Sequence, residues 1–544
     1  MKSERIKSIN KSETEVRMDT VASESLLNEL QGVVGAAFVR ADDVTRFTYA
    51  IEDFGGSFFY PLNDRYTAPD MVVIPHTTEE VSGIVKLANK YKIPIIARGG
   101  GHDMTGACTP LKGKGGIILD MTSMNKVLDY QQGMNAVHFQ PGIRWGDLEH
   151  QLNEKGLTLG ILGPHGLHGA TLGAGVAHNC FSINAPKYGW PVQNVLTLQV
   201  VLPSGEVIET GSLANKDCKT WYFRCCNGPD MAGIFLGSGG AFGVITEIAM
   251  KTYPKPTESS TLAYAFKNID DYLEFVHQVG WQQFVTELWG MALIGLHPKL
   301  RAMFISMFGQ KDLVFLTIDG HEKGVFKAQV KAVKRIAREN RGELIPIEGL
   351  MHAMGGSVID KVEFAGGGYY GAMAGPNDNC TCSVTPVLNW KKVVTQGMKV
   401  IDQNMDALGG GFHMMGADKF YIFPLLLGGG NSCQSVVSTT VDYCCGGANG
   451  TKACETPIDS DKDREAKFNL KRAKELYSDM WEMYVENTVA PYRIGKENPS
   501  LIRRLKPEYY AFLKLIKQAL DPNNIMNPGV IGLGVTDQEA KGLV

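Results

Sequence analysis

The sequence is poor in cysteine and has no excess of charge of either sign. Eleven cysteines among 544 residues are too few for the disulfide-stapled scaffold of a small secreted module. Lysine and arginine number 54 against 57 aspartates and glutamates, a net charge of −3, so no broad basic surface is expected. These absences exclude a cysteine-rich extracellular module and argue against nucleic acid as a partner. They favour a small or weakly charged partner.

Long apolar runs are missing as well. The longest, Val195–Leu202 and Ile422–Leu427, fall well short of the roughly 20 residues that cross a bilayer. The N-terminal segment is charged and lacks the apolar core that a secretory signal needs. We therefore expect no membrane span and a cytoplasmic location.

What the chain does have is an ordinary globular composition, with 44% hydrophobic residues and 62 glycines. Residues from about 40 to 255 alternate short strands and helices, whereas longer helical patterns follow the prolines at 254 and 256. The sequence predicts a short N-terminal lead over 1–40, a first domain over 41–255, a second domain over 256–487 and a C-terminal return over 488–544.

Local patterns predict several individual elements. Thr77 to Glu80 has capping-box spacing, and the apolar residues that follow at helical spacing predict an amphipathic helix that ends at 92–94. The run Ile95 to Ala97 predicts a short buried strand. The other predicted elements are a hairpin over 195–210, a strand over 244–251, helices over 325–340 and about 461–487, and a loop over 428–456.

The strand at 95–97 leads directly into a glycine-rich loop over 98–106, which reads Arg-Gly-Gly-Gly-His-Asp-Met-Thr-Gly. Residues without Cβ let backbone N–H groups approach a ligand closely, and a pyrophosphate is the natural guest. A tight turn between strands explains three glycines equally well. The loop does not have the GxGxxG spacing that opens a helix, so a Rossmann nicotinamide site is a poor interpretation.

Three further glycine-rich segments lie at 160–179, 235–246 and 521–529. The first of them is expected to resist helix and strand alike, and the glycines of the second open onto a strand. Four such loops in one chain predict one extended ligand.

In order and spacing, these pieces resemble the vanillyl-alcohol oxidase/p-cresol methylhydroxylase family of flavoproteins, which bind FAD. The resemblance covers most of residues 68–255 and 488–532. It implies an α+β fold, in which an FAD-binding domain of the p-cresol methylhydroxylase (PCMH) type has two subdomains and carries an inserted α+β substrate or cap domain. The matching pieces are Pro69–Pro75, the RGGGH loop, Gln140–Ile143, Thr171–Gly173, the hairpin at 195–205, Gly237–Thr246 and Asp521–Gly529.

By the same resemblance, the loop at 98–106 would hold the FAD pyrophosphate, the segment 164–173 would lie by the flavin ring and residues 240–246 would line the adenine side. Asn527 would close the flavin end. The implied cofactor-binding residues are Arg98, Gly99, Gly100, Gly101, His102, Asp103, Gly106, Pro164, Thr171, Gly173, Gly243, Ile245 and Asn527.

His102 has two interpretations. In the berberine-bridge-like branch a histidine in a similar R-x-G-G-H context is bonded covalently to the flavin, so FAD tethered through His102 is one hypothesis. The other is a loop histidine whose ring hydrogen-bonds the backbone or a phosphate.

Three residues are candidates for the substrate side. Tyr492 and Arg493 stand where phenol-oxidising members carry a Tyr-Arg pair, which suits a phenolate or a carboxylate because tyrosine donates a hydrogen bond and arginine is permanently charged. The alternative is a surface arginine beside a half-buried tyrosine. His165 stands where those members carry a flavin-facing acid, and a histidine near neutrality can take a hydroxyl proton as hydride leaves the carbon.

Two departures weaken the likeness to the phenol oxidisers. The loop over 98–110 lacks the tyrosine that they place there, and no histidine near 418–423 replaces their C-terminal flavin link. A metal site is not predicted, because His165 and His168 share a glycine loop without an acidic partner. The cysteines are expected to be free thiols, since none has iron–sulfur spacing.

The resemblance therefore implies an FAD-dependent oxidoreductase that moves a hydride from the C–H of an alcohol, hydroxy acid or para-substituted phenol to flavin N5. Its substrate would be a small anionic or phenolic molecule, and oxygen or an electron-acceptor protein would reoxidise it. The alternatives are a berberine-bridge-like or sugar oxidase, and a flavin-binding subunit of a redox complex without turnover of its own. A homodimer is left open.

Overall fold

In the computed structural model, the first region of the chain contains a four-stranded sheet built around parallel pairs. The structure describes residues 20–50, 52, 68–161, 169–291, 305–306, 309, 311–346, 379–386, 389–403, 412–417, 421–428, 470–487, 489–491, 493–496 and 499–536, except 104, 112 and 183. The strand order is Val39–Arg40, Met71–Val73, Ile117–Asp120 and Ile95–Arg98. The first pairing is antiparallel and the other two are parallel.

The helix Thr78–Tyr91 packs against this sheet, as its sequence pattern predicts. The Thr77 side chain accepts a hydrogen bond from the Glu80 N–H, and Lys92 ends the helix in a left-handed conformation. Its apolar stripe is buried in one core with the sheet and with the helix Thr20–Val34; this stripe consists of Val81, Ile84, Val85 and Ala88. The predicted N-cap and the predicted helix end are confirmed, whereas the Glu80 carboxylate accepts from the His76 N–H and not from the Thr77 N–H that a full capping box requires.

A five-stranded antiparallel sheet follows. Its order is Val127–Gln131, Ala136–Phe139, Val244–Lys251, Val195–Val201 and Val207–Glu209. The predicted hairpin is confirmed by the antiparallel pairing of the last two strands. A separate two-stranded pair joins Leu157–Thr158 to Tyr253–Pro254.

The other helices of the first region are short. They are Asp43–Thr48, Trp145–Asn153, Leu172–Ala177, Ala185–Tyr188, Pro191–Asn194 and Ala232–Phe235, with 3-10 turns at Ala36–Phe38, Met121–Ser123, Gln132–Met134 and Gly211–Ala214.

The helix Leu172–Ala177 corrects the expectation that the segment 160–179 resists helix and strand alike. Leu172 and Val176 are fully buried in the core. Their packing stabilises the helix despite the low helix propensity of its glycines. A Cβ on Gly173 would lie 2.3 Å from Pro141 Cβ, and one on Gly175 would lie 2.7 Å from Trp145. The glycines are there for close packing, not for chain flexibility.

The second region is built on an eight-stranded antiparallel sheet. Its order is Glu343–Ile345, Glu258–Phe266, Asp312–Gly320, Val285–Met291, Phe412–Ala417, Tyr421–Gly428, Asn379–Pro386 and Ala490–Pro491. Its helices are Ile269–Gly280, Lys323–Glu339, Trp390–Gln403 and Leu470–Glu486. An apolar core that includes Phe266, Phe275 and Leu316 joins sheet and helices.

Two predicted elements of this region lie partly or almost wholly outside the described residues. The predicted helix over about 461–487 is described from Leu470 to Glu486, and its earlier residues lie outside the described residues. The predicted loop over 428–456 also lies outside them, apart from Gly428, which ends a strand. The helix predicted at 325–340 is confirmed as Lys323–Glu339.

The chain then returns to the first region. After a 3-10 turn at Pro499–Arg504, the helix Pro507–Leu520 packs Leu513 and Ile516 against the core of the first region. Ile95 donates its N–H to Ile525 O, and Asn527 donates to Ile95 O, so this return extends the four-stranded sheet. A last 3-10 turn spans Val530–Gly532. The predicted domain boundaries at 40, 255 and 487 stay predictions.

No helix in the described part of the chain is both long enough and apolar enough to cross a membrane.

Candidate functional site

A pocket lies where the glycine-rich loops of the first region meet. Its wall is formed mainly by residues of 97–103, 170–180 and 235–245, with Arg493 from the C-terminal return. Gly99, Gly100, Gly173, Gly240 and Gly243 all line it, so backbone rather than side chains forms much of the surface.

The side chain of Arg98 holds the loop at 98–106 in place. Arg98 Nη1 donates to Tyr49 O at 3.2 Å and to Cys108 O at 3.3 Å, and the guanidinium lies 5.2 Å from the Tyr49 ring centre. A Cβ on Gly101, whose φ is +80°, would lie 2.5 Å from Nη2 of Arg98. Both the backbone conformation and the half-buried arginine therefore require glycine at this position.

His102 lies against the segment that precedes Thr171. A Cβ on Gly169 would lie 2.1 Å from Nε2 of His102, and His102 also lines the pocket. Its ring is thus held at the pocket wall by a backbone that carries no side chain there.

Asp103 is the central charge of the site. Its Oδ2 accepts hydrogen bonds from the N–H groups of Thr105 and Ala107, and its Oδ1 lies 3.1 Å from Nη1 of Arg493 and 3.7 Å from Nδ1 of His178. Burial acts to raise the pKa of Asp103, but His178, Arg493 and these hydrogen bonds lower it to about 2. The carboxyl is therefore ionised at neutral pH.

Glu52 and Cys108 form a second buried group beside Asp103. Glu52 accepts hydrogen bonds from the Gly106 N–H and from the Cys108 thiol. Burial, and then the charge of Asp103, raise the pKa of Glu52 to about 8. One ligand atom of each of the three residues lies within 4.8 Å of the others, which is close enough for a metal ion. The two carboxylates already accept hydrogen bonds from loop N–H groups and the thiol donates to Glu52, which favours a structural role.

Lys496 and Asn527 tie the loops together. Lys496 Nζ donates to Thr109 O at 2.5 Å and to Asn527 Oδ1 at 2.6 Å. Asn527 Nδ2 donates to Ala107 O and to Gly239 O. Burial lowers the pKa of Lys496 to about 7. The side-chain amide of Asn527 thus joins the loop at 98–109, the loop at 237–240 and the C-terminal return.

The structure brings most of the predicted site residues to one pocket. Those that line it are Arg98, Gly99, Gly100, Gly101, His102, Asp103, Thr171, Gly173, Gly243, Ile245 and Arg493. Gly106 and Asn527 are buried behind the wall, where they hold the loops. Pro164, His165 and Tyr492 lie outside the described residues.

Sequence reasoning missed three buried groups of the site, namely His178, Lys496 and Glu52. His178 falls in the glycine segment 160–179, whose composition drew attention to its glycines only. Lys496 and Glu52 carry no local signal, because their partners lie 387 and 54 residues away in the chain. The five cysteines whose side chains the structure describes are free, as expected; they are Cys108, Cys180, Cys218, Cys225 and Cys226.

The lining suits FAD. A run of glycines at the end of a buried strand gives a pyrophosphate close access to the backbone, and Arg98 and Arg493 supply positive charge nearby. The pocket continues past Thr171 and Cys180 to Gly240 and Ile245, which leaves room for an extended molecule.

Comparison with known proteins identifies two domains in the chain. Residues 69–211 match a family described as FAD binding domain, and residues 494–531 match FAD linked oxidases, C-terminal domain. In sequence, the chain is 36% identical over 225 residues to a mitochondrial D-lactate dehydrogenase [cytochrome] of Arabidopsis thaliana. That match covers 40% of this chain and 37% of the relative, so the chain spans well under half of the relative's length.

Two likenesses cover more of the chain. An uncharacterised FAD-linked oxidoreductase of Mycobacterium tuberculosis is 24% identical over 485 residues, which is 85% of this chain and 91% of that protein. The crystal structure of p-cresol methylhydroxylase with substrate bound superposes with a TM-score of 0.75 at 17% identity, covering 95% of this chain and 98% of the other. The predicted PCMH-type fold and the predicted FAD cofactor are confirmed.

Proposed function

Because this chain is a flavoprotein that carries both domains of the FAD-linked oxidases, we propose that it removes a hydride from a C–H bond of a small alcohol, hydroxy acid or para-substituted phenol. Relatives named D-lactate dehydrogenase and p-cresol methylhydroxylase represent two of these substrate classes. Bound FAD supplies the hydride acceptor. The observation that carries the proposal is the glycine-lined pocket into which the C-terminal return delivers an arginine, Arg493.

Arg493 is the residue we assign to the anionic group of the substrate. Its side chain is 16% exposed, and its ion pair with Asp103 holds it at the pocket wall. A guanidinium has five N–H donors in a fixed fork, so one ion pair does not exhaust it. A carboxylate or a phenolate would accept from the same group. Tyr492 would donate a hydrogen bond beside it, and His165 would take the substrate's hydroxyl proton.

A covalent tether through His102 would favour the berberine-bridge-like or sugar oxidase alternative. The position of His102 at the pocket wall, packed on Gly169, supports this possibility. Acid precipitation of the purified protein distinguishes the cases, since a covalent flavin stays in the pellet and a dissociable flavin enters the supernatant.

Anaerobic titration tests the proposed activity. The oxidised protein is mixed with D-lactate, glycolate, a para-alkylphenol and a neutral primary alcohol, and loss of flavin absorbance reports hydride transfer. We expect bleaching by at least one anionic or phenolic compound. Arg493→Met should weaken apparent binding of an active hydroxy acid or phenol by tenfold or more, about 1.4 kcal/mol. It should change binding of the hydroxy acid's methyl ester much less.

Arg503→Met provides the matched control, because Arg503 is exposed on the 3-10 turn outside the pocket. It should bind every substrate as the wild type does. A protein that holds FAD but is bleached by none of these compounds would contradict the activity and favour a flavin-binding subunit. An electron-acceptor protein, a second copy of the chain and a cytoplasmic location also belong to the proposal. The Arabidopsis relative is named mitochondrial, which speaks against the cytoplasmic location.

A further inference from the structure

His178 is a histidine at the pocket wall whose side chain is 15% exposed. It follows the helix Leu172–Ala177 and lines the same pocket as Gly99 to Gly101. The Gly239 N–H donates to Ala177 O at 2.9 Å, and a Cβ on Gly239 would lie 3.4 Å from Cε1 of His178. One side of the imidazole therefore packs against the loop at 237–240.

One negative and two positive charges face His178. Asp103 Oδ1 lies 3.7 Å from its Nδ1, and the same oxygen lies 3.1 Å from Arg493 Nη1. Lys496, also from the C-terminal return, adds positive potential, while the described residues of 237–240 bring only glycine and serine. Burial lowers the pKa of His178 to about 4; Asp103 opposes this shift, and Arg493 and Lys496 add to it. Without cofactor, His178 is neutral at pH 7.

We propose that His178 is a cofactor-binding residue that takes up one proton from solvent when FAD binds, so that an imidazolium offsets the negative charge of the pyrophosphate. The pyrophosphate brings two negative charges to a buried, glycine-lined wall where Asp103 is already balanced by Arg493. An opposite charge within about 4–6 Å shifts a pKa by about 1–3 units toward the charged form, so two phosphate charges at that distance would carry the pKa of His178 into the neutral range.

The consequence is a defined pH dependence of FAD affinity. The pKa of His178 is higher in the FAD complex than in the free protein, so binding takes up a proton in the window between the two values. Within that window FAD affinity falls as pH rises, by up to about tenfold per pH unit, and above the upper value it becomes flat.

Isothermal titration of FAD into cofactor-free protein measures this uptake. All proteins carry His102→Ala, which keeps the flavin exchangeable whether or not His102 is a tether. Titrations at pH 7 in two buffers of different ionisation enthalpy give the number of protons taken up. We expect at least about half a proton for this parent, since a bound pKa of about 7 or above leaves His178 at least half protonated at pH 7, and close to none after His178→Gln. His150→Gln, whose side chain is 80% exposed on the helix Trp145–Asn153, should match the parent.

Two outcomes would overturn the proposal. Uptake that persists in the His178→Gln protein would assign the proton to another group, with Lys496 the first candidate because burial brings its pKa to about 7. An FAD dissociation constant that stays flat between about pH 5 and 8 in the parent protein would remove the linkage altogether. The second measurement needs no His178 variant, so a failure of that variant to fold leaves the proposal open to refutation.

Discussion

The FAD-binding region and the second region are held together by different kinds of interaction. Around the pocket, buried polar groups join distant parts of the chain: Arg493 pairs with Asp103 across 390 residues, and Asn527 bonds Gly239 across 288. The core of the second region is apolar, with Phe266, Tyr272 and Phe275 fully buried, and ion pairs such as that of Arg335 with Glu339 lie on its surface.

The difference follows from what each region has to do. A region that keeps an open, glycine-lined pocket cannot fill that space with apolar side chains. It is stabilised instead by ion pairs and side-chain amide hydrogen bonds behind the pocket wall. Buried groups of this kind are costly when a partner is lost, and they titrate within the ordinary pH range. The second region fills its core with large apolar side chains, and the buried carboxyl groups of its sheet, Glu287, Asp312 and Asp319, lie outside that apolar cluster.

The largest effect is expected for a cavity in the apolar core. Phe275→Ala removes a fully buried ring that packs 5.0 Å from Phe266 and should cost about 3–5 kcal/mol of unfolding free energy. Urea unfolding followed by tryptophan fluorescence measures it. Phe512→Ala on the C-terminal helix, where the ring is 58% exposed, is the control and should cost far less. Equal losses in the two variants would refute the assignment of this core.

The next effect should fall on the loops around the pocket. Asn527→Gly keeps the left-handed backbone but strips partners from Lys496, Ala107 and Gly239, at about 1–3 kcal/mol for each group left unsatisfied. We expect FAD to bind at least tenfold more weakly, measured by flavin fluorescence. Asn524→Gly, also left-handed but bonded only to Gly534 O, should retain FAD. Unchanged FAD affinity in Asn527→Gly would mean that the amide does not shape the site.

Glu52 makes the FAD-binding region sensitive to pH. Its pKa is about 8 in the folded chain against an ordinary value of 4.5, so the native state keeps a proton that the unfolded state releases. Stability should therefore be fully present at low pH and fall between about pH 5 and 8, by at most about 1.4 kcal/mol per pH unit. Thermal unfolding across this range should show a smaller decline in Glu52→Gln. A decline of equal slope in both proteins would exclude Glu52 as its source.

The smallest effect belongs to the surface of the second region. Arg335 lies 2.8 Å from Glu339 one helical turn away, and both side chains are more than half exposed. Arg335→Gln should change the unfolding free energy by no more than about 0.5 kcal/mol, and less in high salt. Chemical denaturation at two salt concentrations checks this, and a loss above 2 kcal/mol would place the pair among the structural contacts of the core.

What the sequence could predict was local. The capping of Thr78–Tyr91, the hairpin from Val195 and the strand that ends at the RGGGH loop are all written within a few consecutive residues. The helix Leu172–Ala177 was mispredicted, since its stability comes from the Pro141 and Trp145 surfaces that its glycines allow it to approach. The family resemblance supplied the fold and the cofactor, because several weak motifs in a fixed order constrain both.

The buried groups behind the pocket could not be predicted for a physical reason. Whether Lys496 is an exposed lysine or a buried donor to Asn527 depends on contacts between segments that are joined only by the complete fold. The same holds for His178, whose neighbours Asp103 and Arg493 come from opposite ends of the chain.

The visible absorption spectrum of the purified protein, with its ratio of flavin to chain, tests the central claim most directly. A pocket built by these loops around FAD predicts a two-banded flavin spectrum at about one flavin per chain, and a lower ratio in Asn527→Gly than in Asn524→Gly. A colourless wild-type protein that takes up no added FAD would contradict the assignment of the pocket and every function derived from it.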